Sequence, residues 1–121
     1  MKIIRKNDPP KEDRTNAPIF FGGRVTGQAI VGKDMNEYFN FSIVSFEAGA
    51  RNKFHAHTSD QVLYVTEGSG IVASESEEVR VGQGDTAWIP AGEKHWHGAT
   101  PESSFAHISL LSAGSTTTVF D

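Results

Sequence analysis

The 121-residue chain contains no cysteine. Disulfide frameworks and thiolate metal or redox sites are therefore excluded. No apolar run approaches the roughly 20 residues that a membrane-spanning helix needs. The opening "MKIIRKNDPPKEDR" is charged and has neither the apolar core nor the small-residue cleavage site of a secretory leader, so the cytoplasm is the expected compartment. A basic excess is also missing. The net charge is −4 at pH 7, which argues against a nucleic-acid surface and says little beyond solubility. Helical periodicity is absent as well: no stretch keeps the apolar spacing of a helix for three turns. With 37% hydrophobic and 21% charged residues the composition is that of a globular protein, and the length suits one core.

What is present is β pattern. Residues 1–18 read as an irregular polar arm broken by Pro9, Pro10 and Pro18, and 19–121 as a single domain. "GRVTGQAIV" and "NEYFNFSIVSF" are rich in β-branched and aromatic residues, and the second alternates Phe39, Phe41, Ile43 against Asn40, Ser42. "QVLYVTEG", "GIVASES", "EEVRVG", "DTAWIPAG", "KHWHGAT" and "SFAHISLL" follow, divided by turn residues, and "TTTVF" supplies a last strand. Gly68 and Gly70 suit a tight turn, where positive φ is cheap only for glycine. Short strands at spacings of about ten residues point to an all-β sandwich or barrel. Phe39, Phe41, Phe46 and Trp88 are candidates to line an apolar compartment, or simply core.

All five histidines lie between residues 55 and 107, and four form two His-x-His pairs, His55/His57 and His95/His97. Residues two apart on a strand face one side, so each pair aims two imidazoles into one space. A single histidine is more often a hydrogen-bonded core residue than a ligand. Two such pairs in a short β-protein point to a metal, since neutral imidazole is the commonest protein ligand.

The segment "GARNKFHAHTSDQVLYVTEG" resembles the first motif of the cupin superfamily: Gly, five residues, His-x-His, three or four residues, Glu, six residues, Gly. Gly49, His55, His57 and Gly68 fall in register, and Gln61 stands where Glu is usual. "GDTAWIPAGEKHWHGA" resembles the second motif through Gly84, Pro90, Gly92 and His95, with Ala99 in place of Asn. The resemblance implies an antiparallel jelly-roll β-barrel and one divalent metal ion held by His55, His57, Gln61 and His95. Gln61 either ligates or only lines the cavity. A carboxylate in this set would leave a divalent ion with a formal charge of +1, whereas neutral Gln61 leaves it at +2 and a stronger Lewis acid.

The run "IPAGEKHWHGATPESSFAHISL" is similar to a small bacterial cupin group that includes manganese-dependent hydroxynitrile lyases. That resemblance implies manganese first, with Fe, Ni or Zn as other candidates. It implies His107 as the base that takes a hydroxyl proton and Lys94 as a helper near the leaving anion, although regular strand parity turns Lys94 away. His97 shares the face of His95 and is the third catalytic candidate. The expected activity is lyase chemistry on a hydroxylated small molecule. The rivals are a dioxygenase, a sugar- or uronate-processing cupin, and a non-catalytic small-molecule binder. Apolar residues at both chain ends (Ile3, Ile4, Ile19, Phe20, Phe21, Val119, Phe120) suggest a homodimer or dimer-based oligomer in which terminal strands extend a neighbour's sheet.

Overall fold

Alternating apolar sequence becomes strand throughout. The computed structural model describes residues 1–121 and contains twelve strands and no helix. They are β1 (Glu12–Asp13), β2 (Phe20–Phe21), β3 (Val25–Val31), β4 (Phe39–Phe46), β5 (Arg51–Asn52), β6 (His55–His57), β7 (Gln61–Ser74), β8 (Glu78–Gly82), β9 (Thr86–Ile89), β10 (His95–Ala99), β11 (Phe105–Ser112) and β12 (Thr117–Val119). Every pairing is antiparallel. One sheet runs β1-β3-β4-β11-β7-β9 and the other β2-β5-β10-β7-β8, with β6 also against β10 and β12 against β6. The two sheets curl into a jelly-roll barrel with its inner faces apposed.

β7 is the shared member. Its first half pairs with β11 and β9, and its second half with β10 and β8. The sequence suggested a turn at Gly68 and Gly70, but the strand runs through both. Gly68 has φ of 73°, and a Cβ there would collide with the carbonyl oxygen of Ser104. A Cβ on Gly70 would stand 2.6 Å from the Phe105 ring. The two glycines therefore bend one continuous strand from sheet to sheet beside a close neighbour, a different use of the same conformational freedom.

The register fixes which face of each strand looks inward. Phe46 lies opposite Val25 and Phe105, and these three belong to the buried apolar cluster with Ala50, Val65 and Ala99. Phe46 and Phe105 stack with ring centroids 5.9 Å apart. This cluster stoppers one end of the barrel. By alternation, Asn40, Ser42 and Val44 also point inward, and Phe39, Phe41 and Ile43 point outward. Phe39, Phe41 and Trp88 thus do not line an inner compartment, because they share a parity opposite to that of Phe46 and of the ligand-bearing Gln61 row.

The chain ends pair with their own chain. β12 lies along β6, β2 along β5, and β1 along β3. These short strands stand at the sheet edges, each paired on one side within its own chain. The Gln28 side-chain amide donates to the carbonyl oxygens of Lys6 and Pro9, both at 2.9 Å, and fastens the first residues over the outside of β3. No helix is long and apolar enough to cross a membrane.

Candidate metal centre

Three strands converge on one point inside the barrel. β6 presents His55 and His57 on a single face, β10 places His95 directly opposite His55, and β7 begins with Gln61. The turn "PAG" delivers β10 to this place. Gly92 adopts φ of 82°, its N–H donates to the His57 carbonyl at 2.8 Å, and Glu93 N–H closes onto Pro90 O at 3.1 Å. Ring centroids are 4.3 Å apart for His55–His95, 4.9 Å for His55–His57 and 5.4 Å for His57–His95. All four side chains are buried.

The outward nitrogen of each imidazole is committed. His55 Nδ1 donates to Lys53 O at 2.7 Å and His95 Nδ1 donates to Glu93 O at 2.8 Å. His57 Nδ1 shares a hydrogen bond of 2.8 Å with the Thr117 hydroxyl on β12. A carbonyl oxygen only accepts, so the protons of His55 and His95 are fixed on Nδ1 and their Nε2 lone pairs face inward. Burial, above all, pushes His55 to about 3 and His57 to about 4, and it lowers His95 as well. The charges of the neighbouring imidazoles add to the shift of His55 and His57. At neutral pH the three rings are uncharged donors of electron pairs.

Two features show that this arrangement fits a cation. His57 Nε2 is buried and has no hydrogen-bond partner. Gln61 stands near enough to favour the protonated form of His57 slightly, without bonding that atom. The second feature is the contact of His95 Nε2 with Gln61 Oε1 at 3.1 Å. The Gln61 amide group donates to Ser109 Oγ at 3.0 Å, which aims its carbonyl oxygen at His95. With the His95 proton on Nδ1, two lone pairs face each other there. A positive ion resolves both the unpaired nitrogen and the opposed acceptors, and histidine with amide oxygen suits a borderline divalent metal.

His97 and His107 form a second group. His107 Nδ1 donates to Ile108 O at 3.1 Å, so His97 Nδ1 donates to His107 Nε2 at 3.0 Å. Asn52 holds the other side: its Oδ1 accepts from the His97 backbone N–H at 2.8 Å, and its Nδ2 lies 3.2 Å from His97 Nε2. Burial first, and the nearby imidazoles next, hold His97 well below its usual range, and burial pushes His107 to about 4. One imidazole nitrogen of each of His55, His95 and His97 falls within 4.8 Å of the others, a group that takes in His97 and leaves out His57, unlike the ligand set expected from the sequence.

The structure places the remaining candidates differently from expectation. His107 is the base that the resemblance implies. It lies on the floor with no exposure, between Phe46 (5.7 Å) and Phe105 (5.4 Å), because it follows the stopper residue Phe105 by one inward step on β11. Lys94 is outside the barrel. It pairs with Glu75 at 3.6 Å and sits over the Phe120 ring at 4.7 Å, so it cannot assist at the histidines. The inner-face residues Asn40, Ser42, Val44 and Leu111 remain half-buried while Phe46 and Phe105 are sealed. The barrel is therefore less tightly sealed at the end that carries residues 40–44 and 111. A second cleft of about 250 Å³ between β8 and β9 reaches His95 past Val72, Val79, Ala87 and Ile89.

Asn52, Ser109 and Thr117 have no counterpart among the residues singled out from sequence. Each is remote from its partner along the chain, by 45, 48 and 60 positions. Asp60 stands just before β7. Its carboxylate accepts from Trp88 Nε1 at 3.0 Å and Ala91 N–H at 2.8 Å, which ties the "PAG" turn to the start of β7.

Residues 42–109 match the family described as Cupin domain. Over 68 residues the chain is 43% identical to an (R)-mandelonitrile lyase of Granulicella tundricola, which covers 55% of this chain and 52% of that protein. Over 49 residues it is 45% identical to an acireductone dioxygenase of Leptospira biflexa, covering 37% of this chain and 28% of that protein. The chain thus spans about half the length of the first relative and less of the second. Among solved structures, a cupin-like protein of Thermotoga maritima superposes with a TM-score of 0.82 at 25% identity, covering 99% of this chain and 89% of the other. The polyketide cyclase RemF of Streptomyces resistomycificus superposes with a TM-score of 0.87 at 19% identity, covering 100% and 86%, and shares the fold alone. With the matched segment holding both His-x-His pairs and more than half of the sequence, this chain belongs to the cupin domain family.

Proposed function

We propose that this protein is a metal-dependent small-molecule enzyme that performs Lewis-acid lyase chemistry on a hydroxylated substrate, as in the cleavage of a cyanohydrin. The observation that carries the reading is the packing of the buried His55, His57 and His95 rings against one another beside the Gln61 amide oxygen, with His57 Nε2 left unpaired. His55, His57, Gln61 and His95 would hold the ion, with manganese favoured and Fe, Ni or Zn as alternatives. When bound, such an ion supplies a Lewis acid that stabilises negative charge developing on a hydroxyl oxygen, and four neutral donors leave its full charge of +2 available.

The chain's own residues do the rest. Ser109 orients Gln61, and Lys53 O, Glu93 O and Thr117 orient the three rings. The hydroxyl proton leaves to the His97–His107 pair. His107 Nε2 is its end point, reached through His97: Asn52 Nδ2 must move off His97 Nε2 as that nitrogen takes the hydroxyl proton, and the Nδ1 proton then passes to His107. Asn52 fixes the His97 backbone and ring in place through its Oδ1 and Nδ2. The aromatic stopper behind His107 excludes water from that side. The similarity to a mandelonitrile lyase supports the substrate class, and the part-open mouth beside Ser42 and Leu111 suits a small molecule.

The test is cyanide release from racemic mandelonitrile by protein loaded with Mn, Fe, Ni or Zn in turn, with a chelated control. Release that requires one of these ions supports the reading. Metal-dependent oxygen consumption without cyanide release would replace it with a dioxygenase. Equal activity with and without chelator would remove the metal from the mechanism.

A further inference from the structure

We propose that a hollow on the outside of β5 and β10 binds a small aromatic carboxylate, at a place separate from the histidines inside the barrel. The hollow measures about 430 Å³ and is lined by three phenylalanines (Phe21, Phe54, Phe120) and three cations (Arg51, Lys53, Lys94). That volume is of the size that small-molecule sites have. The whole chain carries a net charge of −4, so the positive charge gathered here runs against the general balance. Asp121 supplies the one carboxylate side chain of the lining.

Strand parity builds the place. Asn52, His95 and His97 point into the barrel, so Arg51, Lys94 and Trp96 point out. Gly98 lies opposite Arg51 in the register, and a Cβ there would collide with Arg51 Cβ. With no side chain at Gly98, Arg51 lies across β10. Its guanidinium stacks on the Trp96 ring at 3.4 Å, with the Phe21 ring 5.0 Å away. Lys94 stands over Phe120 at 4.7 Å and Phe54 at 5.5 Å. Backbone bonds fix the walls: Phe120 N–H donates to Phe54 O at 2.9 Å and Lys53 N–H to Ile19 O at 2.8 Å.

The cations are weakly neutralised. Arg51 donates through Nε to Asn52 O at 3.1 Å, and its two terminal nitrogens have neither a hydrogen bond nor an ion pair. Burial lowers its pKa, with the Glu78 charge opposing that shift. Lys53 and Lys94 have one partner each, Asp121 and Glu75, both at 3.6 Å and with side chains 99% and 69% exposed. Ion pairs so open to water contribute little and give way to a better anion. A guanidinium held in one orientation matches a carboxylate through two parallel hydrogen bonds, and the lysines add charge. The phenylalanine rings accept a flat apolar body. A neutral aromatic lacks the charge for this place, and an inorganic anion lacks the ring. A protein partner calls for a broader surface, about 800 Å² on each side, than a hollow of this size presents.

The experiment uses chelated protein, so that a carboxylate held by a metal is not counted. Two tryptophans report the location, Trp96 beneath Arg51 and Trp88 on the other sheet. Titration with benzoate, followed by the indole N–H signals in nuclear magnetic resonance, should shift Trp96, leave Trp88 in place and saturate with a Kd on the order of 1 mM. Acetate, benzyl alcohol and inorganic phosphate should each bind at least about tenfold more weakly. Arg51→Gln should weaken benzoate at least about tenfold, and Lys94→Gln, which leaves the stack on Trp96 untouched, about threefold. No saturable shift of Trp96 up to ~20 mM benzoate would overturn the proposal. Binding equal in both variants and the unmodified protein, or phosphate binding as tightly as benzoate, would overturn it too. So would a mass of twice 13.2 kDa that Arg51→Glu returns to 13.2 kDa, since a second copy would then close the hollow.

Discussion

The two groups of histidines use their nitrogens in opposite ways. His55, His57 and His95 each spend Nδ1 on a fixed partner outside the cluster, two of them carbonyl oxygens, and turn Nε2 inward. His97 and His107 spend nitrogens on each other and on Asn52 and Ile108. The five imidazoles are close neighbours, yet one group keeps free lone pairs and the other keeps a directed chain of protons. The partner on the far nitrogen decides which task each ring can perform.

The most severe way to break the first group is to remove a ring. His95→Ala takes away the ligand that faces both His55 and Gln61, and equilibrium dialysis should show at least a 100-fold loss of divalent-metal affinity, with activity lost in parallel. His107→Ala attacks the second group. It should leave metal content unchanged and lower turnover by roughly 10²–10⁴ if the pair serves as base. Unchanged turnover at equal metal loading would separate His107 from the chemistry. Thr117→Val sharpens the contrast, because it removes only the outer partner of His57 and leaves the ring. Metal affinity should fall about 10–100-fold, the usual effect of losing such support, and dialysis against a series of chelators measures it. Gln61→Glu should act in the other direction, tightening the metal while slowing turnover, because the added charge lowers the site from +2 to +1. Metal affinity and rate for this variant should therefore move oppositely.

The mildest test is acid. In the metal-free protein His55 is held at about 3 and His57 and His107 at about 4, whereas the unfolded chain takes up these protons near 6.5. The unfolded state then binds more protons between these limits. The stability is fully present above pH 6.5 and falls progressively as the pH drops toward 4 and 3. Thermal melts of chelated protein from pH 8 to pH 4 should show Tm declining mainly below 6.5, and Tm independent of pH across that range would contradict the buried neutral state of these rings.

Most of the strands were legible from alternation, and both His-x-His pairs from their spacing, because these are local patterns of period two. The face of β4 was misread for a physical reason. Its more apolar side looks outward, against the rule that hydrophobic residues go inside, and only the register with β11 shows this. Gly68 signals positive φ, which the structure has, but a positive φ fits a strand bend as well as a turn. Asn52, Ser109 and Thr117 were invisible because polar support at 45 or more positions' distance leaves no mark on local sequence. His107 was picked out, but its depth depends on Phe46, which belongs to another strand.

The bend of β7 has a consequence for how the barrel melts. One strand contributes to both sheets, and its pivot at Gly68 and Gly70 is closed over by Ser104 and Phe105 of the opposite segment. Neither sheet can then peel away as an independent unit, since losing one strips the edge of the other. Unfolding should be a single cooperative event, with tryptophan fluorescence, reporting Trp88 on one sheet and Trp96 on the other, and backbone circular dichroism tracing the same curve.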